Sequence, residues 1–104
     1  MVRPLLALAF VSGAALAADA IAQRADPSSG RNLAAACANC HGTNGASQPG
    51  MPSLAGRERA QLVQQLQDFK AGKRQATIMH QIAKGYSDEQ IEALAAYFSE
   101  QRPR

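Results

Sequence analysis

The sequence is poor in the residues that usually fill and tie together a small hydrophobic core. Among its 104 residues it has no tryptophan, two tyrosines, three phenylalanines and two cysteines. The cysteines stand three positions apart, so they cannot form a disulfide that closes a long loop. A chain of this size therefore needs another source of stability, such as a bound group that supplies core volume.

The net charge of the sequence is also small. The formal net charge is +3, and it falls to +2 if Arg3 is removed with a leader. A surplus this small is well short of that of a nucleic-acid-binding protein, so no nucleic-acid partner is expected.

The first 17 residues have the pattern of a signal peptide. Arg3 precedes an apolar run over residues 5–16, which is too short for a comfortable membrane span, and a small-x-small pattern follows at residues 15–17. Cleavage could fall anywhere up to about residue 22, and an uncleaved N-terminal anchor is the alternative. We expect export to the periplasm, a flexible lead-in over residues 18–26, a folded domain over residues 27–104, and no stable membrane span after cleavage.

The rest of the sequence predicts helices and no strands. Asp26 and Pro27 suit an N-cap and a first helical residue. Small or apolar residues then recur with helical spacing at Gly30, Leu33, Ala34 and Cys37. Residues 42–56, rich in Gly, Pro, Ser and Asn, predict a long loop of the kind that is usually functional in a compact domain.

Three further helical segments are predicted after this loop. One spans residues 58–71 and is stopped by Gly72, and a short helical turn covers residues 77–83. Ser87 and Gln90 form a capping box that starts the last helix. Two apolar stripes are expected to be buried: Leu62, Val63, Leu66 and Phe69 on one helix, and Ile91, Leu94, Ala95 and Phe98 on the other.

Cys37, Cys40 and His41 form a Cys-x-x-Cys-His motif, the attachment signal for c-type haem. Two thiols on one helical turn can add to the two vinyl groups of the porphyrin, and the following histidine is then positioned as an axial iron ligand. One covalent haem would also provide the missing core volume. This interpretation fits export, the helical pattern and the small core together.

Two other interpretations of the cysteine pair compete with haem attachment. A thioredoxin-like redox pair needs a βαβ setting, which this sequence does not predict. A zinc site wants four nitrogen or sulfur ligands, and only His80 remains after His41.

The sixth iron ligand has three candidates outside the leader: Met79, His80 and Met51. Met79 is favoured because it lies 38 residues past His41, just before the last helix, and its soft thioether stabilises ferrous iron. His80 would give a bis-histidine site of lower potential, and Met51 is too close to the His41 side. Ordinary core packing is the alternative for any of these methionines.

Taken together, these motifs resemble a class I cytochrome c over nearly the whole chain after the leader. The residues that carry the resemblance are Gly30, the motif at 37–41, the segment 51–56, Met79 and the segment 94–98. The resemblance implies a small all-α class I cytochrome c fold over residues 27–104, with helices around one covalently bound haem c. It also implies that His41 and Met79 bind the iron.

More narrowly, residues 77–85 with the ending at 94–98 look like the single-haem cytochrome subunit of flavocytochrome c sulfide dehydrogenase, while cytochromes of the c4 and c5 kind share much of the pattern. By position, the resemblance implies that Pro52 accepts a hydrogen bond from the His41 ring and that Leu54 packs on the haem. It further implies that Gly30 lets the first and last helices cross closely near Leu94 and Tyr97.

The expected function is single-electron transfer without catalysis by this chain alone. The favoured hypothesis is a subunit that accepts electrons from a sulfide-oxidising flavoprotein in a heterodimer and passes them to a soluble acceptor. A free soluble monohaem carrier of the c4/c5 type is the alternative. A haem-based ligand sensor or a peroxidase-like enzyme would need an open iron site, against which Met79 argues.

Four basic residues flank the expected Met79 side: Lys70, Lys73, Arg74 and Lys84. They could ring the exposed haem edge and steer an acidic partner. An ordinary solvated polar face is the other interpretation.

Overall fold

The computed structural model describes residues 27–103, which contain helices and no strand. Helix α1 is Pro27–Ala34, followed without a break by a 3-10 helix at Ala35–Cys37 and by α2 at Ala38–His41. A second 3-10 helix covers Thr43–Gly45. Helices α3, α4 and α5 are Arg59–Lys70, Met79–Lys84 and Asp88–Ser99. The expected signal peptide, lead-in and Asp26 N-cap lie outside the described residues.

Helix α5 begins where the sequence predicts. The Ser87 hydroxyl accepts a hydrogen bond from the Gln90 backbone N–H at 3.2 Å, and the Gln90 side chain accepts one from the Ser87 N–H at 2.9 Å. Asp88 and Glu89 stand in the first turn, where negative charge favours the positive end of the helix dipole. The capping box is therefore confirmed.

Two predicted boundaries need correction. The second predicted helix is one residue shorter at each end, because Glu58 is its N-cap and Ala71 its C-cap. The short helical turn expected over residues 77–83 begins later, at Met79, because Ile78 has an extended φ of −138°. Met79 is consequently the first residue of a helix rather than an interior one.

One buried cluster joins α1, α3 and α5. Its members are Ala34, Leu62, Leu94, Ala95 and Phe98. All four residues of the predicted α5 stripe are buried, whereas in α3 only Leu62 is buried and its three companions are half-buried. The α3 stripe is therefore only partly covered by protein.

Helices α1 and α5 cross in close contact at Gly30, as expected. A Cβ at Gly30 would lie 2.5 Å from the Ala93 carbonyl oxygen and 3.1 Å from the Tyr97 Cβ. Any larger side chain would push the two helices apart, so this crossing fixes α1, which continues directly into the helical turns that carry the motif, against α5. Because the helical stretch is continuous, this crossing also positions the motif residues 37–41.

Candidate haem-binding site

The two cysteines lie one helical turn apart in a continuous helical stretch. Cys37 ends the first 3-10 helix, and Cys40 lies in α2. Cys37 is half-buried against the core cluster, and Cys40 is exposed. Residues at i and i+3 share a face of a helix, so both thiols can reach one flat group laid beside that face.

The surroundings of the Cys37 thiol disfavour its ionised, thiolate form. Burial raises its pKa, and the nearby Cys40 raises it further. Redox-active Cys-x-x-Cys pairs instead have a nucleophilic cysteine with a lowered pKa. Residues 27–103 also contain no strand and no cluster of three or more His, Cys, Asp or Glu side chains that could hold a metal ion. Neither the thioredoxin-like nor the zinc interpretation gains support.

His41 is buried, with 9% of its surface exposed, and its ring is held in one orientation. Its Nδ1 lies 2.7 Å from the Pro52 carbonyl oxygen. Since a carbonyl can only accept, Nδ1 carries the proton and the lone pair lies on Nε2. The hydrogen bond expected from the resemblance is present, and it leaves Nε2 as the nitrogen available for a metal.

A network of hydrogen bonds holds the loop that carries Pro52. The Gly45 carbonyl accepts from the Leu54 N–H at 2.8 Å, the Ala55 N–H at 3.2 Å and the Ser53 hydroxyl at 2.8 Å. The Gly56 N–H donates to the Phe98 carbonyl of α5 at 2.9 Å. These contacts fix the peptide groups on the C-terminal side of Pro52, and hence the direction of its carbonyl.

Two side chains of this loop bear on the sequence-based assignments. Leu54 is half-buried against the core cluster, as a residue with one face on protein and one face on a ligand would be. Met51 is 41% exposed and adjacent to Pro52 in the chain, on the His41 side of the site. Its location gives no support to Met51 as the ligand opposite His41.

Met79 and His80 begin the short helix α4. Both are half-buried, while Ala83 in the next turn is completely buried. His80 Nδ1 is a buried nitrogen that has no hydrogen-bond partner among the described residues. Because an unpaired buried polar atom costs roughly 1 to 3 kcal/mol, the position of His80 needs an explanation, and both residues stay candidates.

Comparison with known proteins identifies the family. The model of the cytochrome c family matches residues 28–101. The chain belongs to the cytochrome c family. Haem c is the covalently attached group of that family, and the sequence at residues 37–41 fits its attachment motif. The cytochrome has the small class I fold.

Several curated proteins resemble this cytochrome. It is 44% identical over 71 residues to the cytochrome subunit of sulfide dehydrogenase from Chlorobaculum tepidum, covering 68% of this chain and 64% of that protein. It is 38% identical over 78 residues to cytochrome c4 of Pseudomonas aeruginosa, covering 74% and 39%. It is 46% identical over 70 residues to the thiosulfate dehydrogenase electron acceptor of Stutzerimonas stutzeri, covering 64% and 32%. The matched region is thus less than two thirds of each relative.

Solved structures agree on the fold. Reduced cytochrome c4 from Pseudomonas stutzeri superposes with a TM-score of 0.70 at 37% identity, over 76% of this chain and 47% of that one. Thiosulfate dehydrogenase TsdBA from Marichromatium purpuratum gives a TM-score of 0.68 at 34% identity, over 75% and 19%. Within residues 27–103, no helix is long and apolar enough to cross a membrane.

The residues present fit a haem. The cysteine pair lies on one helical turn, a buried imidazole offers Nε2, and soft or nitrogen donors begin α4. Several large apolar side chains are left half-buried beside the core: Leu33, Leu54, Val63 and Leu66. Apolar surface of this kind is what a porphyrin would cover.

The basic residues on the Met79 side are not equivalent. Lys70 Nζ donates to the Tyr86 carbonyl at 2.7 Å and lies 3.3 Å from Asp88 Oδ1. The Arg74 guanidinium stacks over the Phe69 ring, 5.1 Å from its centroid. Lys73 and Lys84 are exposed. Grouping Lys70 with the free docking charges is therefore not supported by the structure.

Two features of the site have no signal in the sequence. The Ser53 hydroxyl, which supports the Pro52 loop, donates to the Gly45 carbonyl eight residues earlier in the chain. Lys70 donates to Tyr86 and Asp88, which lie 16 and 18 residues later. Neither spacing belongs to a helical or strand period. Only the folded backbone brings these groups together.

Proposed function

We propose that this cytochrome is a periplasmic haem c electron-transfer protein whose iron ligands are His41 and Met79. The observation that carries the proposal is the buried His41 ring beside the cysteine pair, with Nδ1 bonded to the Pro52 carbonyl. Bound haem supplies a one-electron change at iron. The chain itself attaches, orients and encloses that group, and performs no bond chemistry on a substrate.

Pro52 and Leu54 are proposed to serve the haem without binding the iron. A carbonyl acceptor at Nδ1 raises the basicity of the imidazole and fixes its rotation. Leu54 shields one face from water, because it packs on the core cluster and retains a partly exposed face. Exclusion of water near the iron favours the less charged, reduced state.

Replacing Met79 tests the ligand set. In Met79→Ala we expect the reduction potential to fall, within the ~0.8 V range over which axial ligands set it, because a soft thioether stabilises ferrous iron. Cyanide should then bind the ferric protein rapidly. The measurements are a redox titration and cyanide-binding kinetics.

Met51→Ala and His80→Ala are the matched controls, and both should retain the potential and the slow cyanide binding. Fast binding in His80→Ala, with Met79→Ala unchanged, would assign the ligand to His80. That result would also account for the unpaired His80 Nδ1.

We further propose that the electron donor is a sulfide-oxidising flavoprotein held in a heterodimer, with a soluble protein as acceptor. The similarity to a sulfide dehydrogenase subunit supports this donor. Similarity to cytochrome c4 supports the alternative of a free carrier. Similarity to a thiosulfate dehydrogenase electron acceptor supports thiosulfate as a second candidate for the sulfur compound that the electron donor oxidises.

Helix α4 offers features that suit docking. Ile78 and Ile82 are 57% and 39% exposed; Ile78 directly precedes Met79, and Ile82 lies within α4. Lys73 and Lys84 add exposed positive charge on either side in sequence. An apolar centre with a charged rim suits a protein partner of opposite charge, where burial sets the lifetime and rim charge sets the association rate.

A salt titration separates a subunit from a carrier. Haem reduction by sulfide is followed with the flavoprotein present, from about 0.01 to 1 M salt, where the Debye length falls from about 30 to 3 Å. A stable heterodimer should keep its reduction rate, whereas a carrier should lose it. Lys73→Glu with Arg74→Glu should slow association and leave the assembled complex nearly intact.

Arg31→Glu with Arg102→Glu reverses two exposed charges outside residues 71–85 and changes the net charge by the same amount, so it is the control for net charge alone. No reduction by a sulfide-oxidising flavoprotein at any salt concentration would eliminate the subunit proposal. The carrier would then be the function to pursue.

A further inference from the structure

Lys70 closes the chain segment that contains Met79. It is the last residue of α3, and its Nζ is hydrogen-bonded to the Tyr86 carbonyl at 2.7 Å and to Asp88 Oδ1 at 3.3 Å. The Gln67 amide, one turn earlier on α3, donates to the same Asp88 oxygen at 2.9 Å. We call these contacts of Gln67 and Lys70 with Tyr86 and Asp88 the staple.

The staple joins the two ends of residues 71–85. Inside this segment the backbone hydrogen bonds are local. Lys73 and Arg74 donate back to Asp68 in the last turn of α3, and Gln81 and Ile82 donate to Ile78. Among the described residues, no backbone hydrogen bond ties residues 75–84 to another part of the fold. The staple thus joins the two ends of the segment by polar contacts between residues that are far apart in the chain.

Apolar burial holds only the C-terminal half of this segment. Ala83 is completely buried, whereas Met79 and His80 are half-buried and Ile78 is largely exposed. Closing a flexible segment costs conformational entropy, and fixed ends lower the number of arrangements that its middle can adopt. The position of Met79 therefore depends on the ends being held, as well as on Ala83 and on the packing of α4 against α3.

We infer that Lys70 is a positioning residue for Met79, acting through the staple, and that it is not a docking charge. Its side chain is 31% exposed, and its Nζ is held by the partly buried Tyr86 carbonyl and by the surface carboxylate of Asp88. In the haem-bound protein the staple would keep the segment closed around Met79, and without the staple the segment would open more often. This inference rests on the proposed assignment of Met79 as a ligand.

The test measures how often Met79 leaves the iron. Cyanide binds the ferric holoprotein only after that step, so its binding rate reports the opening. Lys70→Met keeps the apolar stem and removes both contacts of Nζ. We expect binding to accelerate by at least about tenfold, the loss expected for a single charge-assisted hydrogen bond. Lys73→Met, which removes an exposed cation at the start of the segment, should change the rate by less than about twofold.

Two further variants grade the effect. Lys70→Arg can still donate to both acceptors and should restore slow binding. Asp88→Ala removes the contacts of Asp88 with Gln67 and Lys70 but leaves the hydrogen bond from Lys70 to the Tyr86 carbonyl. It should therefore accelerate cyanide binding less than Lys70→Met does. Asp88→Ala also provides the comparison if Lys70→Met does not fold.

The possible failures are distinguishable. Equal rates in Lys70→Met and Lys73→Met, with fast binding in Met79→Ala, would overturn the inference and leave Met79 as the ligand. Unchanged binding in Met79→Ala would instead reject the ligand assignment. In that case amide hydrogen exchange over residues 79–84 decides, because breaking the staple must still speed exchange there if Lys70 closes the segment.

Discussion

The two sides of the haem site are built differently. The His41 side is the loop of residues 42–56, which we call the proximal loop; the Met79 side is residues 71–87, which we call the distal segment. The proximal loop is held by backbone groups, with the Gly45 carbonyl accepting three hydrogen bonds and the Gly56 N–H bonded to Phe98 of α5. The distal segment is closed mainly by side chains at its ends.

This difference separates His41, a proposed ligand that is held rigidly, from Met79, a proposed ligand whose position can change. Backbone hydrogen bonds around buried glycine cannot be altered without moving the core, so the direction of the His41 ring is set by the fold. Side-chain contacts at an exposed edge contribute less and vary with solvent conditions. The proposed bond between Met79 and the iron should therefore respond to surface substitutions and pH far more than the orientation of the His41 ring does.

The largest expected difference comes from one substitution made on each side. Gly45 and Gly72 have nearly the same left-handed backbone, with φ of +78° and +73°. A Cβ at Gly45 would lie 2.8 Å from Phe98 Cδ1 and 2.9 Å from Leu54 Cβ, whereas nothing lies within 4 Å at Gly72. Gly45→Ala should cost about 2 to 5 kcal/mol, and Gly72→Ala about 1 to 2 kcal/mol, the conformational part alone.

Urea unfolding of the two holoproteins, followed by circular dichroism, measures both costs. The shared backbone conformation makes Gly72→Ala the control for strain. Equal losses of stability would mean that the proximal loop can move away from Phe98, and the contrast between the two sides would then be lost.

The second prediction concerns the support of Pro52 and is smaller. Ser53→Ala removes the hydroxyl that donates to the Gly45 carbonyl, with an expected cost of about 0.5 to 1.5 kcal/mol. The adjacent Pro52 carbonyl then holds the His41 ring less firmly, and a less basic imidazole stabilises ferric iron less. We expect the reduction potential to rise and the His41 Nδ1 proton to exchange faster with solvent.

Ser99→Ala is the matched control, because Ser99 makes a similar 2.9 Å bond to the Ala96 carbonyl within α5. It should reproduce the stability change without the shift in potential, and Ser53→Thr should restore the original potential. A shift of equal size in Ser99→Ala would attribute the effect to general loosening.

The proximal side could largely be predicted from the sequence because its signals are local. The Cys-x-x-Cys-His spacing acts within one or two turns, and all of the stripe of α5, to which the proximal loop is bonded, is buried as its period predicts. The Pro52 contact with His41 came from resemblance to a family, since 11 residues of irregular loop separate the two. Local patterns specify local geometry.

The distal side could not be predicted to the same depth. Its helix begins two residues later than expected, and Lys70, which looks like a free surface charge in the sequence, is bound to Tyr86 and Asp88. Contacts across 16 or 18 residues depend on how α3 and α5 pack. They therefore follow from tertiary structure and leave no periodic trace.

The smallest predicted effect is an acid sensitivity confined to the distal side. The Gln67 hydrogen bond, followed by the Lys70 hydrogen bond and charge, lowers the pKa of Asp88. A carboxyl whose pKa is lower in the folded state contributes stability above its unfolded pKa of about 3.9, and loses it as the pH falls through the folded pKa.

The staple should thus weaken below about pH 4. Asp88→Asn should lower the thermal midpoint slightly at pH 7, and this difference from the wild type should shrink as the pH falls below about 4. Glu89→Gln, also in the first turn of α5, reports the helix-dipole contribution alone. Cyanide binding should accelerate in acid less for Asp88→Asn than for the wild type. If Asp88→Asn and Glu89→Gln behave alike at every pH, Asp88 acts only on the helix dipole, and the distal segment is not held by its charge.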